Sequence, residues 1–444
     1  MKDHNLTQGS VAGNIMTFSL PYMLAYFLQI LYGLADLFFI GRYCDVDSTT
    51  AVSNGAQVMY MVTVVIIGLA MGTTVLTARA VGAHDEERAR RAVGNTITMF
   101  SVVAFVLMAV LLLLRSHVVT IMDTPREAAD GMEAYLLVCF LGIPFIVAYN
   151  VIASIFRGLG DSRSPMVFVA VACAVNVVLD YVFIGIVGLG PMGAALATTT
   201  SQAASVAFAV VSVRRHRGVV DISRADLRPQ RSVVKSILST GVPIAMQDGF
   251  IQVSFLAITV IANGRGLIDA AAVGIVEKFI GLVFIVPSAM LSTVSAVSAQ
   301  NFGAGKPERA VATMRTAMLL TTVYGLAVSV VLQFVPELAV GLFTDNADVL
   351  AQGCDYLRGY VWDSVFAGMH FCFSGFFTAC GYALVSFLHN SVAIVCARVP
   401  LAWLSSQLWP DTLWPMGIST CIGSILSCLI CLCAWWWLKR KGVF

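Results

Sequence analysis

Long apolar runs follow one another along this chain, and each is closed by a short polar stretch. A helix needs about 20 apolar residues to cross roughly 30 Å of hydrocarbon. Twelve segments meet that length: 14–41, 52–77, 93–114, 132–156, 165–187, 192–213, 236–263, 270–297, 311–335, 356–380, 384–407 and 413–437. The runs are continuous, without the alternation of membrane strands, so helices are predicted. The first run is too long for the core of a signal peptide and carries no small-residue cleavage site, so it reads as a retained span.

The basic residues test that count. With a cytoplasmic N-terminus, 20 of the 27 Lys and Arg fall in inner loops and 5 in outer ones, while Lys278 and Arg398 lie within spans. Such a bias is the positive-inside pattern, and an error of one span would scramble it. Composition agrees: 58% of residues are hydrophobic, 12% are charged and the mean hydropathy is +0.85. Soluble domains carry about 25% charged residues, so most of this surface is expected to face lipid. The net charge of +2 and the short basic loops argue against a nucleic-acid partner.

The 11 cysteines sit mostly inside apolar runs and show no CxxC…CxxC or Cys/His spacing, so neither a disulfide framework nor a zinc site is expected. Only Cys44 and Cys354 fall near outer loops, where their pairing stays open. Trp435, Trp436 and Trp437, just before Lys439, Arg440 and Lys441, read as an interfacial anchor.

The two halves resemble each other. RAVGAHDEERARRAV from Arg79 matches QNFGAGKPERAVATM from Gln300, pairing Gly82 with Gly303 and Arg88 with Arg309 at an offset of 221. Gly160 and Gly381 pair at the same offset, and Pro21 and Pro243 at 222. Six spans per half is even, so both halves enter the membrane from the same side as parallel repeats. The expected organisation is an all-α integral membrane protein with twelve transmembrane helices in two pseudo-symmetric six-helix lobes. The N-lobe covers 1–213, a basic cytoplasmic linker 214–235, and the C-lobe 236–444. Two similar bundles suit alternating access, with a site in the cleft between them.

Several blocks now point to one family. They are SLPYMLAYFLQILYGLADLFFIGR in the first span, ARAVGAHDEERARRAVGN after the second and FRGLGDSRSP after the fourth. NVVLDYVFIGIVGLGPMGAALATTTSQ across the fifth and sixth and SAQNFGAGKPERA after the eighth complete the set. In order and spacing the chain resembles the multidrug and toxic compound extrusion (MATE) family over almost its whole length. That resemblance implies an antiporter that exports lipophilic or cationic small molecules in exchange for H⁺ or Na⁺. It also implies coupling roles for the first-span acid, Asp36, and for the Asn176/Asp180 pair. The C-lobe departs from the pattern, since FFTACGYALVSF stands where the N-lobe has FRGLGDSRSP, and Gln247 and Asp248 stand near a seventh-span carboxylate of one sodium-coupled branch.

Charge within the spans carries the candidate chemistry. An ionised side chain at mid-membrane costs about 2.5–3.5 kcal/mol on insertion scales, so it tends to face a cavity and a partner. Five acids fall there: Asp36, Asp180, Asp248, Glu277 and Asp363. All except the deeper Asp248 are expected about 10 Å below the outer boundary, lining an outward-opening cavity. Asn176 and Asp180 are four apart and share a helix face. A carboxylate pair in a dry pocket resists double ionisation and can hold a proton; with the Asn176 oxygen the same group could instead ligate Na⁺. The alternative role for this group is an interhelical hydrogen bond. Gln29, two turns before Asp36, and Thr198 are candidates to close the pocket, against plain packing roles. Glu277 and Asp363 have no counterpart at the repeat offset, although Glu277 adjoins Lys278 and both could reach the interface. Arg398 is expected to pair with a C-lobe carboxylate or a helix-end carbonyl.

The expected coupling group therefore comprises Asp36, Asn176, Asp180, Gln29, Thr198, Glu277, Asp363 and Asp248, with no cofactor beyond the coupling ion. The expected protein is a plasma-membrane monomer with both termini cytoplasmic, acting on lipophilic cations. A flippase of lipid-linked precursors is the alternative, and would need a basic cavity for pyrophosphate. An intramembrane enzyme is disfavoured by the lack of HExxH and GxSxG motifs, and a scaffold would leave the buried acids unexplained.

Overall fold

The computed structural model describes residues 5–215 and 222–444. Lys2 and residues 216–221 of the expected linker, Arg217 among them, lie outside the described residues. Among the described residues all regular structure is helical. The helices are α1 (Val11–Tyr43), α2 (Val46–Gly82), α3 (Glu86–Ile121), α4 (Arg126–Leu141), α5 (Ile143–Gly158), α6 (Arg163–Asp180) and α7 (Gly190–Arg215). They continue as α8 (Arg231–Asn263), α9 (Leu267–Val283), α10 (Ile285–Gly303), α11 (Pro307–Phe334), α12 (Pro336–Val340) and α13 (Ala347–Tyr360). The last four are α14 (Asp363–Cys380), α15 (Ala383–Ala393), α16 (Val399–Leu408) and α17 (Trp414–Arg440). Two π-turns, Tyr181–Ile186 after α6 and Ile394–Arg398 before α16, interrupt the α-helical path.

Ten helical stretches are long and apolar enough to cross a membrane, and α4 with α5, bent by 49° at Gly142, makes an eleventh. The remaining expected span, 356–380, falls on α13 and α14. That segment starts earlier than its hydropathy suggests, at Ala347, and breaks at Val361–Trp362. Asp363 thereby becomes the first residue of a helix, where the helix dipole favours negative charge. Pro21 and Pro243, paired in the repeat, each lie inside a long helix, α1 and α8.

The chain folds as two units, one comprising Leu20–Leu238 and the other Leu6–Ser19 with Ser239–Phe444. The repeat is visible in their elements. α2 and α10 end at Gly82 and Gly303, and the α4–α5 bend and the α13–α14 break fall one offset apart. Gly160 and Gly381, paired in sequence, both adopt left-handed backbone, with φ of 90° and 89°, which glycine enters without the Cβ clash.

Each unit has its own core. In the first, Met132, Leu136, Phe140 and Ile143 of the α4–α5 pair pack with Val52, Phe100 and Ile155. In the second, Tyr356, Leu357 and Tyr360 of α13 pack with Val273, Val276 and Met416. Helices in lipid associate through close packing at small residues. Gly359 and Gly417 let α13 and α17 approach so closely that a Cβ on either would meet the other's backbone at 2.4–2.5 Å.

The entry segments are tied down as well. In the first unit Asn95 Nδ2 donates to Asp226 O (3.3 Å) and Thr98 Oγ1 to Leu227 O (2.7 Å). In the second, Lys306 Nζ donates to Thr7 O (3.0 Å), and Arg309 Nη2 to Gln8 O (2.8 Å) and Gly9 O (2.9 Å). None of the 11 cysteines, Cys44 and Cys354 included, forms a disulfide among the described residues. At the C-terminus Arg440 lies 3.4 Å over the Trp436 ring and Lys441 3.9 Å over that of Trp437.

Candidate functional site

The first unit gathers polar groups from three helices. Asp36 lies two turns before the end of α1, Asn176 and Asp180 lie on the last turn and a half of α6, and Thr198 lies on α7. Asp36, Asn176 and Asp180 are buried, and Thr198 is partly so. The Asn176 Nδ2 amide donates to Asp36 Oδ1 at 3.0 Å, and Thr198 Oγ1 donates to Asp36 Oδ2 at 3.1 Å. Both oxygens of Asp36 are therefore engaged.

Asp180 differs. Its carboxyl stands against that of Asp36, yet neither of its oxygens receives a donor, and Asn176 Oδ1 is likewise unpartnered. Two carboxyl groups contain only acceptors unless a proton lies between them. Three buried oxygens without donors in one pocket thus mark a place for a proton or a small cation. Asp180 also ends α6 where the π-turn Tyr181–Ile186 begins, and such turns recur at functional sites.

Gln29 is half-buried on α1 near the Tyr149 hydroxyl on α5, and Asp36 takes its hydrogen bonds from Asn176 and Thr198 instead. Arg157 of α5 covers the Tyr22 ring at 4.1 Å. The GxGD run Gly158–Asp161 caps α6: Asp161 Oδ1 accepts from the Arg163 and Ser164 amides at 2.9 and 3.0 Å, and Oδ2 accepts from the Ser164 hydroxyl at 2.5 Å. Those bonds satisfy the first turn of α6 through the Asp161 carboxylate.

The second unit holds a separate group. Asp363 opens α14, with both carboxyl oxygens buried and lacking a well-aligned donor. Half-buried Glu277 on α9 accepts from Thr259 Oγ1 at 3.3 Å through one oxygen, and its other oxygen is unpartnered. Arg398, at the end of the second π-turn, makes no ion pair. Its Nη2 donates to the Tyr360 hydroxyl at 2.7 Å, and its guanidinium lies over the Phe255 ring at 5.0 Å. Aromatic rings, whose faces attract a cation, take the close positions around it, and the expected carboxylate partners stand beyond ion-pair distance. Glu277 and Asp363 act on Arg398 from nearby. Lys278 is exposed. Asp248 lies midway along α8, half-buried, with no hydrogen bond reaching it among the described residues, and its neighbour Gln247 is buried with both amide atoms unpartnered.

The MatE family model matches residues 21–182 and again residues 243–404, two copies separated by 222 positions. The chain belongs to the MatE family. The double match reproduces the internal repeat, from Pro21 and from Pro243. Relatives include a protein named "Probable multidrug resistance protein YpnP" from Bacillus subtilis, 26% identical over 442 residues and covering 100% of this chain and 98% of that one. "Multidrug export protein MepA" of Staphylococcus saprophyticus is 23% identical over 446 residues, with 97% and 96% covered. In fold the chain is similar to the protein solved as "Crystal structure of MATE in complex with MaL6", with a TM-score of 0.93 at 23% identity over 100% of this chain and 99% of that one. A MOP superfamily transporter from Pyrococcus furiosus has a TM-score of 0.92 at 23% identity, again over 100% and 99%. The fold is that of MATE transporters, with twelve helices in two lobes.

Side chains that sequence reasoning passed over complete the second group: Tyr360, His370, His389 and Ser424. One was accessible in principle, since His370 follows Asp363 by seven residues and so shares its helix face. Tyr360 and Ser424 come from other helices, and only the fold brings them in.

Proposed function

We propose that this MatE-family chain is a secondary active exporter of lipophilic cations, and that Asp36 and Asp180 couple export to entry of H⁺ or Na⁺. The observation that carries this reading is the buried carboxyl pair of the first unit, with Asp36 held by Asn176 and Thr198 while Asp180 lacks donors. A proton shared by the two carboxyls satisfies Asp180 and removes the repulsion between like charges. A lipophilic cation competes for the same negative charge, so its arrival favours release of the proton. Na⁺ is the second reading of the same oxygens: Asp36, Asp180 and the free Asn176 Oδ1 offer it hard ligands. Multidrug export by the named relatives supports the substrate class. A flippase of lipid-linked precursors needs basic groups for pyrophosphate, whereas this pocket is acidic. The protein is proposed to work as a monomer in the plasma membrane, with both termini cytoplasmic.

The test is ethidium transport in proteoliposomes under an imposed ΔpH or ΔNa⁺. One pH unit supplies about 1.4 kcal/mol per proton, enough for about tenfold accumulation at one proton per substrate. The gradient that drives wild-type uptake identifies the ion, and Asp36→Asn is expected to abolish that uptake. Gradient-driven transport that survives in Asp36→Asn removes the pair from coupling.

A further inference from the structure

We infer that His370 is a proton acceptor in the second unit, exchanging a proton with Asp363 through the Ser424 hydroxyl, and that His389 positions it. The inference extends the coupled-export reading to the other half of the molecule. It starts from a contrast between two buried histidines. His389 on α15 has both ring nitrogens engaged, Nε2 with Ser374 Oγ at 2.8 Å and Nδ1 with Ser427 Oγ at 2.6 Å, so it is pinned between α14 and α17. His370 on α14 is loosely held: Nε2 has a single long contact of 3.4 Å to Ser424 Oγ, and Nδ1 has no partner. The rings meet edge-on with centroids 5.7 Å apart, and Phe371 flanks His370 at 4.9 Å. The pinned ring and Phe371 thus fix the plane of the loose one.

Ser424 on α17 also stands beside the Asp363 carboxyl, two turns above His370 on the same face of α14. A buried acid without a well-aligned donor and a buried imidazole whose Nε2 has only one long contact therefore flank one hydroxyl, which can donate to either as it accepts from the other. The surrounding charge suits one mobile proton. Arg398 faces the group as a fixed cation, with Glu277 of α9 and Asp363 as acids, and Tyr356 and Tyr360 of α13 bordering Arg398. His389 faces it from α15, the thiols of Cys421 and Cys428 from α17, and α10 contributes no ionisable side chain. On α11 the Tyr324 hydroxyl is occupied by Val283 O at 3.1 Å. Two acids against one guanidinium leave a single negative charge, which one proton neutralises.

The transfer balances. The Asp363 carboxyl O–H passes its proton to Ser424 Oγ while Ser424 passes its own to His370 Nε2, with Nδ1 keeping its hydrogen. The products are a carboxylate beside Arg398, a neutral serine and an imidazolium two turns along α14. The proton returns by the same route.

The test uses the full-length protein in lipid. Infrared spectra follow the carboxylic C=O band assigned by its loss in Asp363→Asn, and ¹⁵N-histidine spectra follow His370. The midpoint of the Asp363 band is expected to move by about one pH unit in His370→Gln, as for two groups that titrate together. Ser424→Ala, which removes one buried oxygen, is expected to slow ΔpH-driven ethidium uptake at least about tenfold while detergent-phase ethidium affinity stays within about twofold, and Ser424→Thr to restore it. An Asp363 band that ignores His370→Gln, or full transport in Ser424→Ala, overturns the proposal; the serine arm decides even if the histidine variant does not fold. Should wild-type uptake ignore ΔpH while the Asp363 and His370 signals still move together, proton-coupled export fails and the proton sharing stands.

Discussion

Asp36 and Asp180 face each other, yet the structure assigns them different roles in stability, and that difference can be measured. Asp36 accepts two hydrogen bonds, from Asn176 Nδ2 at 3.0 Å and Thr198 Oγ1 at 3.1 Å. Truncation in Asp36→Ala leaves both donors without their acceptor. A buried donor left unsatisfied costs about 1–3 kcal/mol. Asn176 is fully buried and bears the whole cost, whereas Thr198 is partly exposed and bears less. Asp36→Ala is therefore expected to destabilise the protein by about 2–4 kcal/mol. Asp180→Asn strands no donor, because no donor reaches Asp180, and its new amide can donate to Asp36 where a proton would otherwise lie. That variant is expected to be neutral or more stable by up to about 1 kcal/mol, the worth of one net hydrogen bond. Both are expected to lose gradient-driven ethidium uptake. Unfolding in detergent followed by tryptophan fluorescence, beside the proteoliposome assay, separates the two effects. If Asp180→Asn destabilises as much as Asp36→Ala, or keeps gradient-driven uptake, the division into a holding and a free carboxyl is wrong.

Two further predictions concern parts of the chain that hold the units in shape. Arg265, with 7% of its side chain exposed, donates to the carbonyls of Ser406, Trp409, Pro410 and Thr412 at 2.8–3.2 Å while its Nε bonds Asp269 at 2.6 Å. Lysine cannot reproduce that planar fork, so Arg265→Lys is expected to cost about 2–4 kcal/mol in the same unfolding assay. In the linker, Asp226 accepts from the Ser223 hydroxyl and amide at 2.7 and 2.9 Å, which hold its carboxyl below the usual carboxylate range. With its folded value depressed, its support for the turn is complete above the unfolded value of about 3.9 and is lost as pH falls through the folded one. Hydrogen-exchange protection at 223–230, taken against the intrinsic rate at each pH, should therefore fall on acidification below about pH 4, and Asp226→Asn should show no such pH-linked fall.

The architecture was legible because its signals are periodic and long. Apolar runs located the spans to within a few residues at α1, α7 and α17, and the residues paired by the repeat offset share structure, with helices ending at Gly82 and Gly303 and left-handed backbone at Gly160 and Gly381. Breaks inside a span were not legible. The bend at Gly142 and the break before Asp363 leave hydropathy unchanged, since a helix can stop and restart within an apolar run when neighbouring groups satisfy its ends. The π-turns at Tyr181–Ile186 and Ile394–Arg398 escaped for the same reason: one added residue in a turn alters backbone register and not composition.

That distinction also explains which parts of the two polar groups could be anticipated. Asn176 and Asp180 are four residues apart on one helix, so their common face follows from the helical period alone, and Asp36 joins them because a buried charge needs a partner. The second group has no such local signature. Arg398 could be expected to seek a carboxylate, yet its place at the end of a π-turn sets it over Phe255 and against the Tyr360 hydroxyl. Asp363 stands at a helix start, where the backbone dipole can support a carboxylate without a dedicated donor. Local irregularities thus move charges away from the partners that spacing suggests. Those irregularities fall beside Asp180, Asp363 and Arg398, so the charges least explained by helical spacing are the ones next to breaks in the helical path.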